Sequence, residues 1–174
     1  MIFDLPPSFI LDTAFLPLTV WAPLIRLALD QDGVAPAKVS KPAKVSKEAG
    51  SVDLSHTKVT DAGLAYLKGL TGLKKLGLSH TNVTDVGLEH LKGLTNLMIL
   101  GLDGTKVTDA GLVHLKGLTN LQKLYLQGTN VTDAGLVHLK GLTELKWLSL
   151  QDTQVTDAGV KQLQQALPNC KIKH

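Results

Sequence analysis

One cysteine, one arginine, two tryptophans, two tyrosines and three phenylalanines in 174 residues leave little material for several kinds of chemistry. The lone Cys170 excludes an internal disulfide framework and a cysteine-based zinc cage, since each needs at least two thiolates from one chain. The net charge is +3, carried by scattered lysines with Arg26 as the sole arginine, and so small a surplus argues against a nucleic-acid partner. No glycine-rich phosphate loop, serine-nucleophile motif, paired-acid constellation or His-Glu-x-x-His pattern occurs. The sequence therefore predicts neither an enzyme nor a cofactor.

Long uninterrupted apolar runs are missing too. Residues 1–30 are rich in Leu, Phe and Ile, but Asp12, Pro17, Pro23 and Arg26 break every stretch of about 18 residues, which excludes a membrane-spanning helix there. Asp4 and Asp12 stand where a signal peptide needs positive charge, so an export signal is expected only upstream of Met1. The compartment is left open: cell envelope with such a signal, cytoplasm without it.

Proline usage divides the chain. Six of the seven prolines lie in the first 42 positions, and the next is Pro168. Residues 1–33 form an apolar segment in which Arg26 is outweighed by Asp4, Asp12, Asp30 and Asp32. Residues 34–48 read VAPAKVSKPAKVSKE, a doubled Ala-Lys-Val-Ser-Lys run with too little apolar surface to fold, and are expected to be a solvated tether. From residue 49 to 174 the chain repeats with a period of 24: LKKLGLSHTNVTDVGLEHLKGLTN is followed by LMILGLDGTKVTDAGLVHLKGLTN and LQKLYLQGTNVTDAGLVHLKGLTE. A thinner copy with Ala49, Val52 and Leu54 precedes them, and a fourth full one starts at Leu145.

The pattern Leu-x-x-Leu-x-Leu-x-x-Thr-x-Val-Thr-Asp resembles the leucine-rich repeat family, in its bacterial class. The resemblance covers residues 49–172 and implies an α/β, right-handed solenoid with short parallel strands on a concave face and helices on the convex one. It also implies a module that binds other proteins through the concave face. Thr57, Thr81, Thr105, Thr129 and Thr153 stand where many relatives place Asn, and a hydroxyl can serve the same turn. Within residues 1–33, Asp4-Leu5-Pro6, Asp12-Thr13 and Leu16-Pro17 resemble a segment of short bacterial outer-membrane lipoproteins, whose lipid-bearing Cys has no counterpart here.

The residues of one coil carry the same fold independently. Alternation in Leu121-Gln-Lys-Leu124-Tyr-Leu126 points Leu124 and Leu126 inward and Lys123 and Tyr125 outward, as a short strand requires. Thr132-Asp133 then offers a helix N-cap with an acid in the first turn, Leu136 and Leu139 share a face, and Gly141 is expected as a left-handed C-cap. Gly63, Gly87, Gly111, Gly135 and Gly159 each cost helix stability, which points either to close approach between successive helices or to copying by duplication. One coil buries too few aliphatic side chains to offset the entropy of ordering 24 residues, so the five coils must fold as one unit.

At the far end Gln165 replaces the terminal glycine, so the last helix is expected to run on. Leu167-Pro-Asn-Cys170-Lys-Ile172 is expected to re-enter the strand pattern two residues early, with Cys170 as a small buried residue at an inward Leu position.

Coils that agree define scaffold, and outward positions that differ define individuality. Before the second strand leucine the series is Ser51, Lys75, Ile99, Lys123, Trp147; after it, Asp53, Gly77, Gly101, Tyr125, Ser149; two further on, Ser55, Ser79, Asp103, Gln127, Gln151. Ile99, Tyr125 and Trp147 are expected to form an apolar streak flanked by Lys75 and Lys123, with Asp103 and Ser149 completing a partner-binding surface. His90, His114 and His138 recur on the helical side, where neighbouring helices stand too far apart to share a metal, and are read as a solvated face. His56, His80 and Asp103 lie on adjacent strands and form the one geometrically conceivable metal or enzymatic site.

The sequence thus predicts a non-enzymatic protein-binding module. The alternative is a structural envelope scaffold that self-associates through its uncovered end. Residues 1–33 are expected either to cap the first coil or to contact a membrane, and the oligomeric state is left open.

Overall fold

Leucines at a spacing of two along each strand and of 24 along the chain have one way to leave water together: each strand must lie beside the next in the same register. In the computed structural model, which describes residues 44–45 and 50–174, they do so. A seven-stranded sheet runs in chain order: β1 (Lys44–Val45), β2 (Ser51–Asp53), β3 (Lys75–Gly77), β4 (Ile99–Gly101), β5 (Lys123–Tyr125), β6 (Trp147–Ser149) and β7 (Lys171–Lys173). β2 to β7 are parallel, and every pairing keeps a shift of 24: Val52, Leu76, Leu100, Leu124, Leu148 and Ile172 form one row. β1 pairs antiparallel with β2, Lys44 opposite Asp53. Part of the expected tether is therefore a strand that covers the backbone edge of the first coil. The expected cap or membrane segment, residues 1–33, lies outside the described residues, as does the lipoprotein-like stretch within it.

Each return path is a single helical turn. α1 (Asp61–Leu64), α2 (Asp85–Leu88), α3 (Asp109–Leu112) and α4 (Asp133–Leu136) span four residues, and the first three are followed by a tighter 3-10 turn. α5 (Asp157–Ala166) runs ten residues, as the loss of the terminal glycine at Gln165 predicts. The expected left-handed cap at Gly141 is not formed; among the corresponding glycines only Gly69 has a positive φ, 93°. At Gly93 and Gly141 a Cβ would meet nothing within 4 Å, so neither handedness nor crowding calls for glycine there.

Core columns run the length of the stack and are almost wholly excluded from water: Leu54 to Leu150 behind the strands, Val59 to Val155 after the turn, Leu64 and Leu67 and their successors on the helical turns. Between strand and turn, Thr57, Thr81, Thr105 and Thr129 are buried, and each hydroxyl donates to the carbonyl three residues back, at 2.6 or 2.7 Å. The carbonyls of Leu54, Leu102 and Leu126 also accept the threonine N–H at 3.2 Å, so the hydroxyl adds a second bond at the strand end. Thr153 repeats it at the less covered last coil, at 2.6 Å.

The last strand keeps the 24-residue register, with Ile172 opposite Leu148. The expected early re-entry is therefore wrong, because the longer α5 is absorbed before the strand begins. Cys170 is buried at 4% exposure, but just ahead of the strand, in line with Lys146 rather than with an inward leucine. Burial pushes its thiol up to about 11, so it is a packing residue at neutral pH.

Candidate functional site on the concave face

Outward strand positions form three rows across the sheet. The first is Ser51, Lys75, Ile99, Lys123, Trp147, Lys171; the second is Asp53, Gly77, Gly101, Tyr125, Ser149, Lys173. The third, beyond the strand ends, is Ser55, Ser79, Asp103, Gln127, Gln151. Because strands are about 4.8 Å apart, two consecutive glycines in the second row remove side chains from a continuous area.

That area is a hollow of about 340 Å³ floored by Gly77, Gly101 and the edges of Val52 and Leu76. Tyr125 closes it towards the C-terminal coils, Ile99 and Ser51 border the strand-start side, and Asp53, Ser55, Ser79 and Asp103 border the strand-end side. The Asp53 carboxylate leans over Gly77: a Cβ there would lie 2.5 Å from Asp53 Oδ1 and 2.8 Å from Ser55 Oγ. Ser55 N–H donates to the same carboxylate oxygen at 3.0 Å. Asp103 is fixed from two sides, Ser79 Oγ donating to Oδ2 at 3.1 Å and the Gln127 N–H donating to Oδ1 at 3.1 Å.

Of the seven residues expected to bind a partner, the hollow gathers Ile99, Asp103 and Tyr125. Lys75 is exposed on the first row and does not line it. Lys123 stands between Ile99 and Trp147 in the first row, with Tyr125 in the second row on the same strand as Lys123, so Ile99 and Trp147 are separated by two strand spacings. Trp147 instead has the Lys171 ammonium 5.2 Å from its ring centroid, a cation-π contact, and its indole N–H is buried with no hydrogen-bond partner. Ser149 is only 5% exposed and is covered by its neighbours. The sequence reading missed Gly77 and Gly101 as site residues. Their signal was the absence of a side chain at an outward position in two consecutive coils.

His56 and His80 stack, their ring centroids 4.8 Å apart and their planes inclined by 24°. Both residues, with Gly104, Gly128 and Asp152, occupy the left-handed position that ends each strand, at φ values from 55° to 66°. Gly104 is required there: a Cβ would lie 2.5 Å from His80 Nδ1. Stacked imidazoles present faces, not converging lone pairs, and the Asp103 carboxylate is turned to Ser79 and Gln127. Among the described residues no group of three metal-ligating side chains converges. His90, His114 and His138 are half-buried rather than fully solvated, and His114 Nδ1 is buried without a partner.

Away from the concave face, the repeated Thr-Asp pair does more than cap its own helix. Asp61, Asp85, Asp109 and Asp133 each accept two bonds from the threonine of the next coil. The N–H of Thr84, Thr108, Thr132 and Thr156 donates to Oδ1 at 2.7 or 2.8 Å, and the hydroxyl donates to Oδ2 at 2.6 or 2.7 Å. The same hydroxyls accept from N–H groups in the first turn, from Val86, Ala110, Ala134 and Gly159. The repeated glycines make room for this clamp, since a Cβ at Gly87, Gly111, Gly135 or Gly159 would collide with the aspartate of the preceding coil. The expected close approach is real, but the neighbour is a carboxylate and not a helix backbone.

The class of protein follows from this architecture. A family model described as leucine-rich repeat matches residues 51–68, 70–92 and 117–139, and the chain carries leucine-rich repeats. Among solved structures its fold is similar to that of an internalin, InlF, from Listeria monocytogenes, with a TM-score of 0.62 and 24% identity over 71% of this chain and 34% of that one. A leucine-rich repeat protein of Leptospira interrogans is similar as well, with a TM-score of 0.50 and 20% identity over 72% of this chain and 37% of that one. The chain spans about a third of the length of these two proteins. No curated protein sequence matches it.

Proposed function

We propose that the chain is a non-enzymatic protein-binding module that receives an extended segment of another protein on its concave strand face. The observation that supports this most is the hollow over Gly77 and Gly101, bordered by Ile99, Tyr125 and Asp103 on a face where the coils differ from one another. A rigid, ladder-held surface with one aromatic wall and a polar rim loses little entropy on binding and presents the anchor type found at interface hot spots. The self-associating scaffold draws less support, because β1 pairs the first edge of the sheet and the opposite edge strand carries Lys171 and Lys173 around Ile172, which opposes edge-to-edge pairing.

Site-specific photocrosslinking in extracts of the source organism tests the reading. A benzophenone side chain at Lys123, on the concave face, is expected to yield a discrete heterologous adduct, whereas one at Lys116, on the helical side, is not. Adducts only from position 116, or only with second copies of the chain, would replace this reading.

A further inference from the structure

The hollow has a chemistry that narrows what fits in it. Its floor is backbone and aliphatic carbon, its far wall is the ring of Tyr125, and its strand-end rim holds two carboxylates and two serine hydroxyls. Asp103 is half-buried, and its carboxylate is held in place by Ser79 and by the Gln127 N–H, which leaves lone-pair capacity on both oxygens. The ion pairs among the described residues are Lys92 with Glu89 and His174 with Asp157, so no described cation neutralises Asp103. A carboxylate partly withdrawn from water gains from a cation brought against it, and more so once a ligand excludes the remaining water.

We propose that the hollow is a seat for one arginine side chain of the bound segment. This rests on the concave-face reading above and deepens it. The methylene stem lies over Gly101, bounded on one side by the Asp53 carboxylate and Ser55 hydroxyl, which lean over Gly77. The planar guanidinium meets the Asp103 carboxylate, with Ser79 and Ser55 as further acceptors and the Tyr125 ring beside it. An anionic side chain is excluded by Asp53 and Asp103, and an apolar one would strip water from both carboxylates without replacing it. Asp53 adds to the negative rim, but the register places Lys44 opposite it across the β1 and β2 pairing, so the proposal leans on Asp103. Lysine carries the same charge without the flat fork and is the weaker occupant.

The test uses the full chain, isotope-labelled for NMR, titrated with N-acetyl-arginine N-methylamide and separately with its citrulline counterpart, a neutral isostere. Saturable shifts of the Gly77, Gly101 and Asp103 amides are expected with the arginine probe. Binding should be weaker on the order of tenfold with citrulline and with Asp103→Asn, the loss that removing one charge-assisted hydrogen bond produces. Gly101→Val, which fills the hollow and presses its Cβ to 3.0 Å from Ser79 Oγ, should abolish the shifts while the rest of the spectrum keeps its dispersion. Equal binding of the two probes, or arginine-induced shifts confined to other surfaces, would overturn the proposal. Random twelve-residue peptides selected against the same full chain separate its failure from that of the broader reading. If selected peptides lack arginine yet lose binding with Tyr125→Ala, the concave face stands as a binding surface and the arginine seat falls. If they are indifferent to every concave-face variant, both fall.

Discussion

The strand-to-helix turns and the concave face descend from the same 24-residue unit and have diverged to opposite degrees. At the turns, Thr-Asp and the following glycine recur in coil after coil, and Asp61, Asp85, Asp109 and Asp133 each clamp the next coil through two bonds of 2.6 to 2.8 Å. On the concave face, the first row alone contains a serine, three lysines, an isoleucine and a tryptophan. The turn cannot vary, because each residue satisfies a group in a neighbouring coil as well as its own. The strand face is free to vary, because its outward side chains meet solvent and the ladder beneath them is backbone.

The sharpest way to test that contrast is to remove one clamp and compare it with a site where no clamp exists. Asp109→Ala deletes both acceptors of Thr132 and is expected to destabilise the domain by about 2 to 4 kcal/mol, the range for two charge-assisted bonds at a partly covered site. Asp157 has the same place in the last coil but meets no following threonine, and its side chain is largely exposed beside His174. Asp157→Ala should therefore cost only the helix-dipole contribution and an exposed pairing with His174, about 0.5 kcal/mol together. Equal losses in chemical denaturation would mean that the aspartates act locally, as N-terminal helix residues, and not between coils.

Next in size is the glycine that accommodates the clamp. Gly111→Ala gains about 1 kcal/mol in intrinsic helix propensity, yet its Cβ would collide with Asp85 Oδ1 and lie 3.1 Å from Leu88 Cδ1. Overpacking of this kind costs roughly 1 to 3 kcal/mol, and the clamp would also be displaced, so a net loss is expected, growing with Gly111→Leu. The same Gly111→Ala exchange in an Asp85→Ala background should become neutral or stabilising. If it stays destabilising there, the neighbour that matters is not the carboxylate.

Acid should loosen the clamp at Asp133. The hydroxyl and then the N–H of Thr156 hold the Asp133 carboxyl below its ordinary value. A carboxyl whose folded value is depressed contributes stability above its unfolded value, about 4, and that contribution is lost as pH falls through the folded value. The melting temperature is thus expected to fall as pH drops below about 4, and Asp133→Asn should show a shallower drop. An identical slope in both proteins would show that the bonds to Thr156 do not discriminate the charged form.

How much of this was legible beforehand follows the same division. The leucine and valine columns, the threonine bond at the strand end and the long last helix could be read from one coil, because each depends on spacings of two to four residues. The clamp could not, because a threonine and the aspartate that serves it are 23 residues apart. In sequence they look like adjacent members of one N-cap. Only the period of 24 puts Asp109 and Thr132 side by side. The rows of the concave face were legible too, because the period of 24 alone sets Ile99, Lys123 and Trp147 in one series and Tyr125 in the next, and the register keeps that order. The glycine hollow was missed because a site was sought in side chains present, whereas it is made by two that are missing.

The smallest effect is the most informative about the concave face. Lys123→Ser and Ile99→Thr alter outward positions whose neighbours along the row are a lysine, a tryptophan or each other, and no described hydrogen bond or ion pair depends on either side chain. Lys123 is exposed and Ile99 half-buried. Surface exchanges away from caps, cavities and networks stay within about 0.5 kcal/mol, so both variants are expected to unfold at the wild-type denaturant midpoint within that margin. Because the two residues are adjacent, the double variant should be measured as well, and a sum that departs from the single values by more than about 0.5 kcal/mol would reveal coupling between them. A clear destabilisation by Ile99→Thr alone would mean that this side chain supports the fold. The divergence of its row would then reflect packing between coils rather than freedom to recognise a partner.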